Sequence, residues 1–425
     1  MNASFEYASL REVTERTQLW NPERGQRDRI RYIDVSAVSR ENLSIRAVVE
    51  HDVSVAPSRA RKVVRAGDTV FATVRPGLKR IAKVPQTLDD SIASTAFCVL
   101  RPKLERIDPD FLFFAVSADS FVRDVASLET GASYPAVRDS DVLDQQIPLP
   151  SLSEQKQIAT VLAAVRGSLG HNANSLSHAS VLKRAAMREL LTRGLRGEAQ
   201  KETAIGPLPE SWDVIPLGSL GRVGNGSTPK RGIPAYWTGG THPWLTSAKV
   251  YDREIVAADQ FVTEAALDEC HLPRIRPGAV LIAITGQGKT LGHCAVLRFE
   301  ATINQHIAYV AVDTERADPS FVRGYLETQY EYLRQVGSGG GSTKGALTCG
   351  FLRDLPIPQT DIGEQREIVA ILDAIDKKID LHKRKRTVLE DLFKSLLHKL
   401  MTGEIRVSDL DLSALATPTA DEATA

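Results

Sequence analysis

Two stretches of this chain say nearly the same thing. "LPSLSEQKQIATVLAAV" covers residues 149–165, and "IPQTDIGEQREIVAILDAI" covers 357–375, about 210 residues further on. A repeat of fixed period constrains the architecture before any other feature does, because each copy has to fold as a version of the same unit. Sliding the chain by 210 residues places Glu154 on Glu364, Gln155 on Gln365, Ile158 on Ile368, Leu162 on Leu372, Ala164 on Ala374, Leu182 on Leu392, Leu190 on Leu400 and Thr192 on Thr402, with no gap between 154 and 192. Other apolar positions in that span exchange like for like, as Val161 for Ile371, Val165 for Ile375, Leu169 for Ile379 and Met187 for Leu397.

The regions ahead of these stretches correspond more faintly. "VVRAGDTVFATVRPGLKRIAKV" (63–84) mirrors "RIRPGAVLIAITGQGKTLGHCAVL" (274–297), and "RIDPDFLFFAVSADSFVRDV" (106–125) mirrors "RADPSFVRGYLETQYEYLRQV" (316–336). "TGAS" at 130–133 falls on "GGST" at 340–343, just ahead of the "IPLP" and "LPIP" stretches. The chain is therefore two copies of one unit, each a globular part of about 150 residues followed by a segment of about 40.

Those segments predict long helices. Apolar residues recur at three- and four-residue steps, Ile158, Val161, Leu162, Val165, Leu169 and Ile368, Ile371, Leu372, Ile375, Ile379, with Pro150 and Pro358 standing just before them. Forty helical residues span about 60 Å, and the one comparable surface in the chain is the twin helix, which predicts an antiparallel coiled coil. Gly167, Gly170 and the run 171–174 weaken the first helix and predict a kink. The basic run "KKIDLHKRKR" (377–386) reads as a solvated helix face.

Each globular part reads as mixed α/β (α+β). "TVFATV" and "AVLIAIT" predict strands, and "DPDFLFFAVSADSFVRDVA" and "DPSFVRGYLETQYEYLRQV" predict helices opened by Asp and Pro. The expected layout is a globular part at 1–150, a long helix at 151–195, a linker at 196–211, a second globular part at 212–358, a second long helix at 359–403, and a tail at 404–425 without fixed structure.

Composition narrows the function. Apolar residues make up 42% and charged residues 25%, the balance of a soluble globular chain; with no basic-then-apolar leader, the expectation is a cytoplasmic protein. Cys98, Cys270, Cys294 and Cys349 form no CxxC pair, and Cys270–His271 and His293–Cys294 lack a ligand spacing, so no zinc module is expected. Equal numbers of acidic and basic residues, 53 each, leave room for a local basic stripe on DNA.

Catalytic patterns are not found. No GxSxG elbow, HExxH helix or paired-carboxylate signature is present. "AITGQGKT" (283–290) resembles a phosphate loop, but Ala283 replaces the first glycine and "LGHCAVLRF" continues as a strand rather than the helix such a loop requires. The matching "TVRPGLKR" lacks GK[ST] altogether, so both segments read as hairpin loops. What remains is recognition chemistry in small, polar and basic loops: Arg75, Lys79, Arg80 and Tyr134 in the first unit, and Ser227, Thr228, Lys230, Arg231, Lys249, Gln287, Lys289, Thr290, Ser342, Thr343 and Lys344 in the second. Arg and Lys suit guanine edges, Gln suits adenine, and Ser and Thr suit phosphates.

The "IPLP" to "LSEQKQIA" and "PIP" to "GEQREIVAILDAID" junctions, with "LPESWDVIPLGSL…GNGSTPK…AYWTGGTHPWLTSAKV" (208–250), resemble the specificity subunit of Type I restriction-modification systems. The first unit, opening "YASLREVTERTQLWNPERGQRDRIRYIDVSAV", departs from that pattern. The resemblance implies a non-catalytic subunit whose two target recognition domains read the halves of a split DNA sequence, held apart by the helices. It also implies modification subunits, two of them, which carry S-adenosylmethionine-dependent adenine methylation, and restriction subunits that use ATP and Mg2+, with no cofactor in this chain. The rival readings are a nucleotide-binding enzyme using loop 283–290 and a coiled-coil scaffold that reads no DNA.

Overall fold

The computed structural model of the chain describes residues 5–23, 27–286, 289–338 and 346–411. Strands form where apolar and β-branched residues run together. Thr69–Ala72 and Val280–Ala283 are buried at every position, and a strand covered on both faces has no reason to alternate in sequence. Each lies antiparallel to the strand that leads into the helices, with Ala72 opposite Phe97 in one copy and Ala283 opposite Ile307 in the other. Each also forms a hairpin, with Ile81–Lys83 and with Cys294–Leu297 respectively.

By packing the chain divides into two units, Met1–Ser175 with His382–Ala425, and Leu176–Leu381. The copy of the sequence and the unit of packing thus differ, since each unit takes part of both long helices. In the first unit one four-stranded sheet runs in the order Thr14–Glu15, Phe97–Pro102, Thr69–Ala72, Ile81–Lys83, and a second four-stranded sheet Val49–Asp52, Arg29–Ile33, Ser91–Ser94, Ala60–Val64. In the second, the orders are Gly221–Asn225, Ile307–Val312, Val280–Ala283, Cys294–Leu297, Glu254–Ile255, and Gln260–Val262, His242–Leu245, Thr302–Ile303. Both units carry the same parallel pairing, Ile92 with Tyr32 and Thr302 with Trp244. The first unit, atypical in sequence, keeps the topology of the second.

The Asp-Pro helix starts are as read. Asp108 accepts from the amides of Asp110 and Phe111, and Asp318 from those of Ser320 and Phe321, satisfying donors that an N-terminus otherwise leaves open. Each expected single helix is two, however. Pro109–Ser117 stops where Ala118 turns extended (φ −62°, ψ 141°) before Asp119–Ala126, and Pro319–Thr328 gives way to Tyr330–Ser338 through Gln329.

The long helices are Leu152–Arg193 and Ile362–Thr402, and the first runs without interruption through Gly167 and Gly170. They pack antiparallel within each unit: Ile158, Ala159 and Leu162 share a core with Leu397, Leu400 and Met401 in the first, and Met187 and Leu191 share one with Ile368 and Leu372 in the second. In the first unit Asn172, almost wholly buried, donates to the His382 carbonyl at 2.9 Å, and its own carbonyl lies 3.0 Å from His382 Nδ1. These two residues are one repeat apart, so each helix meets its own counterpart there.

The repeated Glu-Gln turns out to be a joint. Gln155 accepts from the Asp108 amide (2.8 Å) and donates to the Pro150 carbonyl (2.9 Å); Gln365 accepts from Asp318 (2.9 Å) and donates to Thr360 (2.8 Å). Both glutamines are fully buried, and each ties the start of a long helix to the cap of a helix in its own globular part. Glu154 binds Arg406, beyond the end of the second long helix, and Glu364 accepts from the Leu195 amide, beyond the end of the first. Those helix ends turn through Gly194 (φ +63°) and Gly403 (φ +73°), left-handed positions that favour glycine. An added Cβ at Gly194 would also lie 3.0 Å from the Trp212 ring, and one at Gly403 would lie 3.2 Å from Phe5.

Two expectations change here. The segment 196–211 is not a bare linker, since Gln200–Thr203 and Gly206–Pro209 pair antiparallel and Leu208 enters the core. Beyond the second helix, Val407 is buried and Ile405 and Leu410 pack on the first unit's core, so 404–411 is folded; residues 412–425 lie outside the described residues.

Candidate nucleic-acid interface

In the first unit the hairpin loop after Thr69–Ala72 and the segment 130–136 come together. Val74 and Ala136 bridge, and the Arg75 amide donates to Pro135 at 2.9 Å. Arg75 is exposed and left-handed (φ 50°, ψ 57°), its guanidinium 5.8 Å from the ring centroid of Tyr134, which is 77% exposed. A non-glycine residue in that region costs free energy, and such strain gathers at functional loops. Lys79 is left-handed too (φ 52°), but it is half-buried and pairs with Asp119. Burial, with Lys394 nearby, holds its ammonium below the usual lysine value. Arg80 points inward, donating to the carbonyls of Val35 (2.9 Å) and Val38 (2.7 Å). Arg75 and Tyr134 thus share one outward site, whereas Lys79 and Arg80 are occupied by the domain itself.

The second unit repeats the arrangement: Thr285 bridges Ala346, one repeat beyond Ala136. Gln287, Ser342, Thr343 and Lys344 lie outside the described residues. The exposed Lys289 has its carbonyl held by the Tyr330 hydroxyl at 2.6 Å, and the Thr290 hydroxyl lies 2.7 Å from that of Tyr251. His293 stacks between those two tyrosines, 4.7 Å from each ring centroid, and burial lowers its pKa. Segment 283–290 leads into the antiparallel strand Cys294–Leu297, so it lacks the helix N-terminus on which a phosphate loop depends.

The loop at 227–231 divides its residues by task. Ser227 is structural, its hydroxyl donating to Cys270 and its carbonyl accepting from the Trp244 indole. Lys230 is exposed, and Arg231 lies 3.8 Å over the Trp237 ring while donating to Gln260 at 2.7 Å. Lys249 pairs with Asp259 at 2.8 Å. Among the described residues no group of three or more His, Cys, Asp or Glu could hold a metal ion.

A polar chain that the sequence did not reveal joins these loops. Thr228 donates to Gln305 Oε1, Gln305 Nε2 lies 3.0 Å from His306 Nε2, and His306 Nδ1 meets the Thr285 hydroxyl. Gln305 and His306 occupy a turn between two strands, and no basic cluster, glycine motif or apolar period marks them.

Residues 62–174 and 209–391 match the model of the Type I restriction modification DNA specificity domain. The chain belongs to that family. The type I restriction enzyme MjaIX specificity subunit of Methanocaldococcus jannaschii is 30% identical over 203 residues, 46% of either chain. A solved chain of a type I R-M system superposes with a TM-score of 0.62 at 27% identity, over 95% of this chain and 99% of that one. The HsdS subunit from Thermoanaerobacter tengcongensis does so with a TM-score of 0.51 at 29% identity, over 95% and 98%. In a DNA specificity chain, loops of unlike side chains on one repeated scaffold are the parts free to differ between the two copies.

Proposed function

We propose that the chain is the DNA sequence-specificity subunit of a type I restriction-modification complex and that each unit reads one half of a split target. The observation that carries this is the repetition of one topology with different side chains at the same outward hairpin loop, Arg75, beside Tyr134, in one unit and Lys289 and Thr290 in the other, with Thr228 and Lys230 on a further loop of the second unit. A duplicated reader joined by paired helices suits two half-sites as a dimer would, and unlike loops suit unlike half-sites. Gln287, Ser342, Thr343 and Lys344 belong to the same proposal. The chain itself directs, and its partners act: two modification subunits supply S-adenosylmethionine-dependent adenine methylation, and restriction subunits supply ATP- and Mg2+-dependent translocation and cleavage. The cytoplasm is its place; among the described residues no helix is long and apolar enough to cross a membrane.

Methylome sequencing of cells with and without this chain tests the reading. The expected result is a methylated motif of two short, dissimilar half-sites around an unread gap; a single contiguous motif overturns it. Inserting four residues, about one helical turn, into both long helices is expected to alter the gap and leave both half-sites as they were. Altered half-sites with the gap unchanged would sink the helical spacing. Reconstituted complexes in which Lys289→Ala assembles normally but methylates without sequence preference would exclude a scaffold that reads no DNA.

A further inference from the structure

We propose that Gln305 reads an adenine in the half-site taken by the second unit, and that the turn it occupies is the sequence-reading position of each copy. This rests on the chain's role as a reader of DNA and adds the residue and the base.

The turn has one backbone and two sets of side chains. Asn304 is buried, and its side chain accepts from the His306 amide at 3.0 Å; one repeat earlier, buried Ser94 accepts from the Ala96 amide at 3.3 Å. The His306 carbonyl accepts from Ile284 at 3.0 Å, and the Ala96 carbonyl accepts from Thr73 at 2.8 Å. Both turns are thus welded to the hairpin strand beside them. The turn residues differ, the exposed Gln305 and His306 in one copy, the exposed Thr95 and the buried Ala96 in the other. Gln305 and Thr95 are both exposed, so no packing demand explains the change.

The bonding around Gln305 also holds its amide at both ends. With the His306 proton on Nδ1 and shared with Thr285, His306 Nε2 accepts from Gln305 Nε2, and Thr228 donates to Gln305 Oε1. Each of these three contacts then pairs one donor with one acceptor. An amide has two N–H groups and two carbonyl lone pairs, so one of each remains open. Adenine presents N6–H2 and N7 in the major groove, the complement of that pair, and glutamine on adenine is a bidentate match. An exposed glutamine gains little by being held still in water; held beside Thr228 and Thr285, on the two loops that face outward, it meets a base without first losing rotamer freedom. Thr95 is too short for a bidentate contact, so the two half-sites differ at this position.

The test uses the full chain co-expressed with its modification subunit, with methylome sequencing as the readout. Wild type first has to give a split motif; if it does not, the DNA-reading role itself fails. For Gln305→Ala, one A·T position in one half-site is expected to become degenerate, discrimination there falling about ten- to hundredfold, the span of one bidentate pair. The other half-site stays unchanged. Gln305→Glu keeps the size and removes the donor, and is expected to move the preference at that position from adenine towards cytosine, whose N4 donates. An unchanged motif at an unchanged rate overturns the assignment. So does a uniform loss of methylation with the motif intact in variants that still co-purify with the modification subunit, because that is the mark of a phosphate contact.

Discussion

Trp212→Ala is expected to be among the most damaging single substitutions in the second unit, lowering its stability by about 3–5 kcal/mol. Trp212 is fully buried among Met187, Leu191, Leu208, Phe321, Ile368 and Leu372, and so binds both long helices to the globular part. Its ring sits 6.0 Å from that of Phe321 at a steep angle, a geometry that aromatic quadrupoles favour. Its indole donates to Glu364 at 3.0 Å, and Glu364 also accepts from Thr360 and from the Leu195 amide. Truncation opens a large cavity and leaves a buried carboxylate oxygen without that donor. Trp212→Phe keeps most of the packing and is expected to cost only the hydrogen bond, about 1–3 kcal/mol. Hydrogen exchange of the Asp213–Pro216 and Pro356–Gln359 ladder reads the effect locally; protection equal to wild type in Trp212→Ala would refute the joint.

Phe5 is the counterpart on the first unit, and it shows where sequence reading ran short. The first copy lacks the tryptophan that marks the opening of the second, yet Phe5 lies beside Gly403 as Trp212 lies beside Gly194, with Arg406 stacked 4.4 Å over its ring. The helices and the paired Glu-Gln were legible because period and identity survive in them. The kinship of Phe5 and Trp212 was not, because an apolar ring against a glycine backbone specifies size more than letter. The split of each Asp-Pro helix at Ala118 and Gln329 was hidden for a related reason: neither residue breaks helices by propensity, and tertiary packing decides. Among the candidate site residues, Arg80 was read as outward from its type alone, whereas its partners, the carbonyls of Val35 and Val38, are 42 or more residues away in sequence. Gln305 went unseen for the same reason, since its meaning comes from Thr228, 77 residues earlier.

Asp376→Ala should unsettle the second unit almost as much, at about 3–5 kcal/mol, because it takes a nearly buried carboxylate away from two cations at once. Asp376 is nearly buried and pairs with Lys183 of the other long helix at 3.0 Å and with Arg253 of the globular part. Lys183 also meets Glu327, which binds the buried Arg323 at 2.5 Å, and Arg253 reaches Asp373 at 2.8 Å. Burial alone would raise the Glu327 pKa, but Arg323 and Lys183 outweigh it and hold the carboxyl below its ordinary value. A carboxyl lowered on folding stabilises the protein above its unfolded pKa, and that stabilisation is lost as pH falls through the folded one. The second unit should therefore lose stability on acidification below about pH 4.5. One repeat away, in the first unit, the same positions hold Arg166 for Asp376, Phe393 for Lys183, Phe113 for Arg323 and Ser117 for Glu327. There Arg166 lies 4.6 Å over the Phe113 ring and donates to the carbonyls of Asn42 and Leu43, and Leu43 is the counterpart of Arg253. The cation has moved from the globular part to the helix, and the carboxylates are gone. Arg166→Ala leaves neutral carbonyls, so a smaller cost of about 1.5–3 kcal/mol is expected, without the acid dependence conferred by Glu327. Urea denaturation of both variants across pH, followed by hydrogen exchange unit by unit, checks the contrast; equal acid sensitivity of the two units would show that the ionic network does not govern the second. Because each seam is built from different partners, a globular part moved to the opposite helix ends would meet charges it cannot pair, which ties each reader to its own place on the helices.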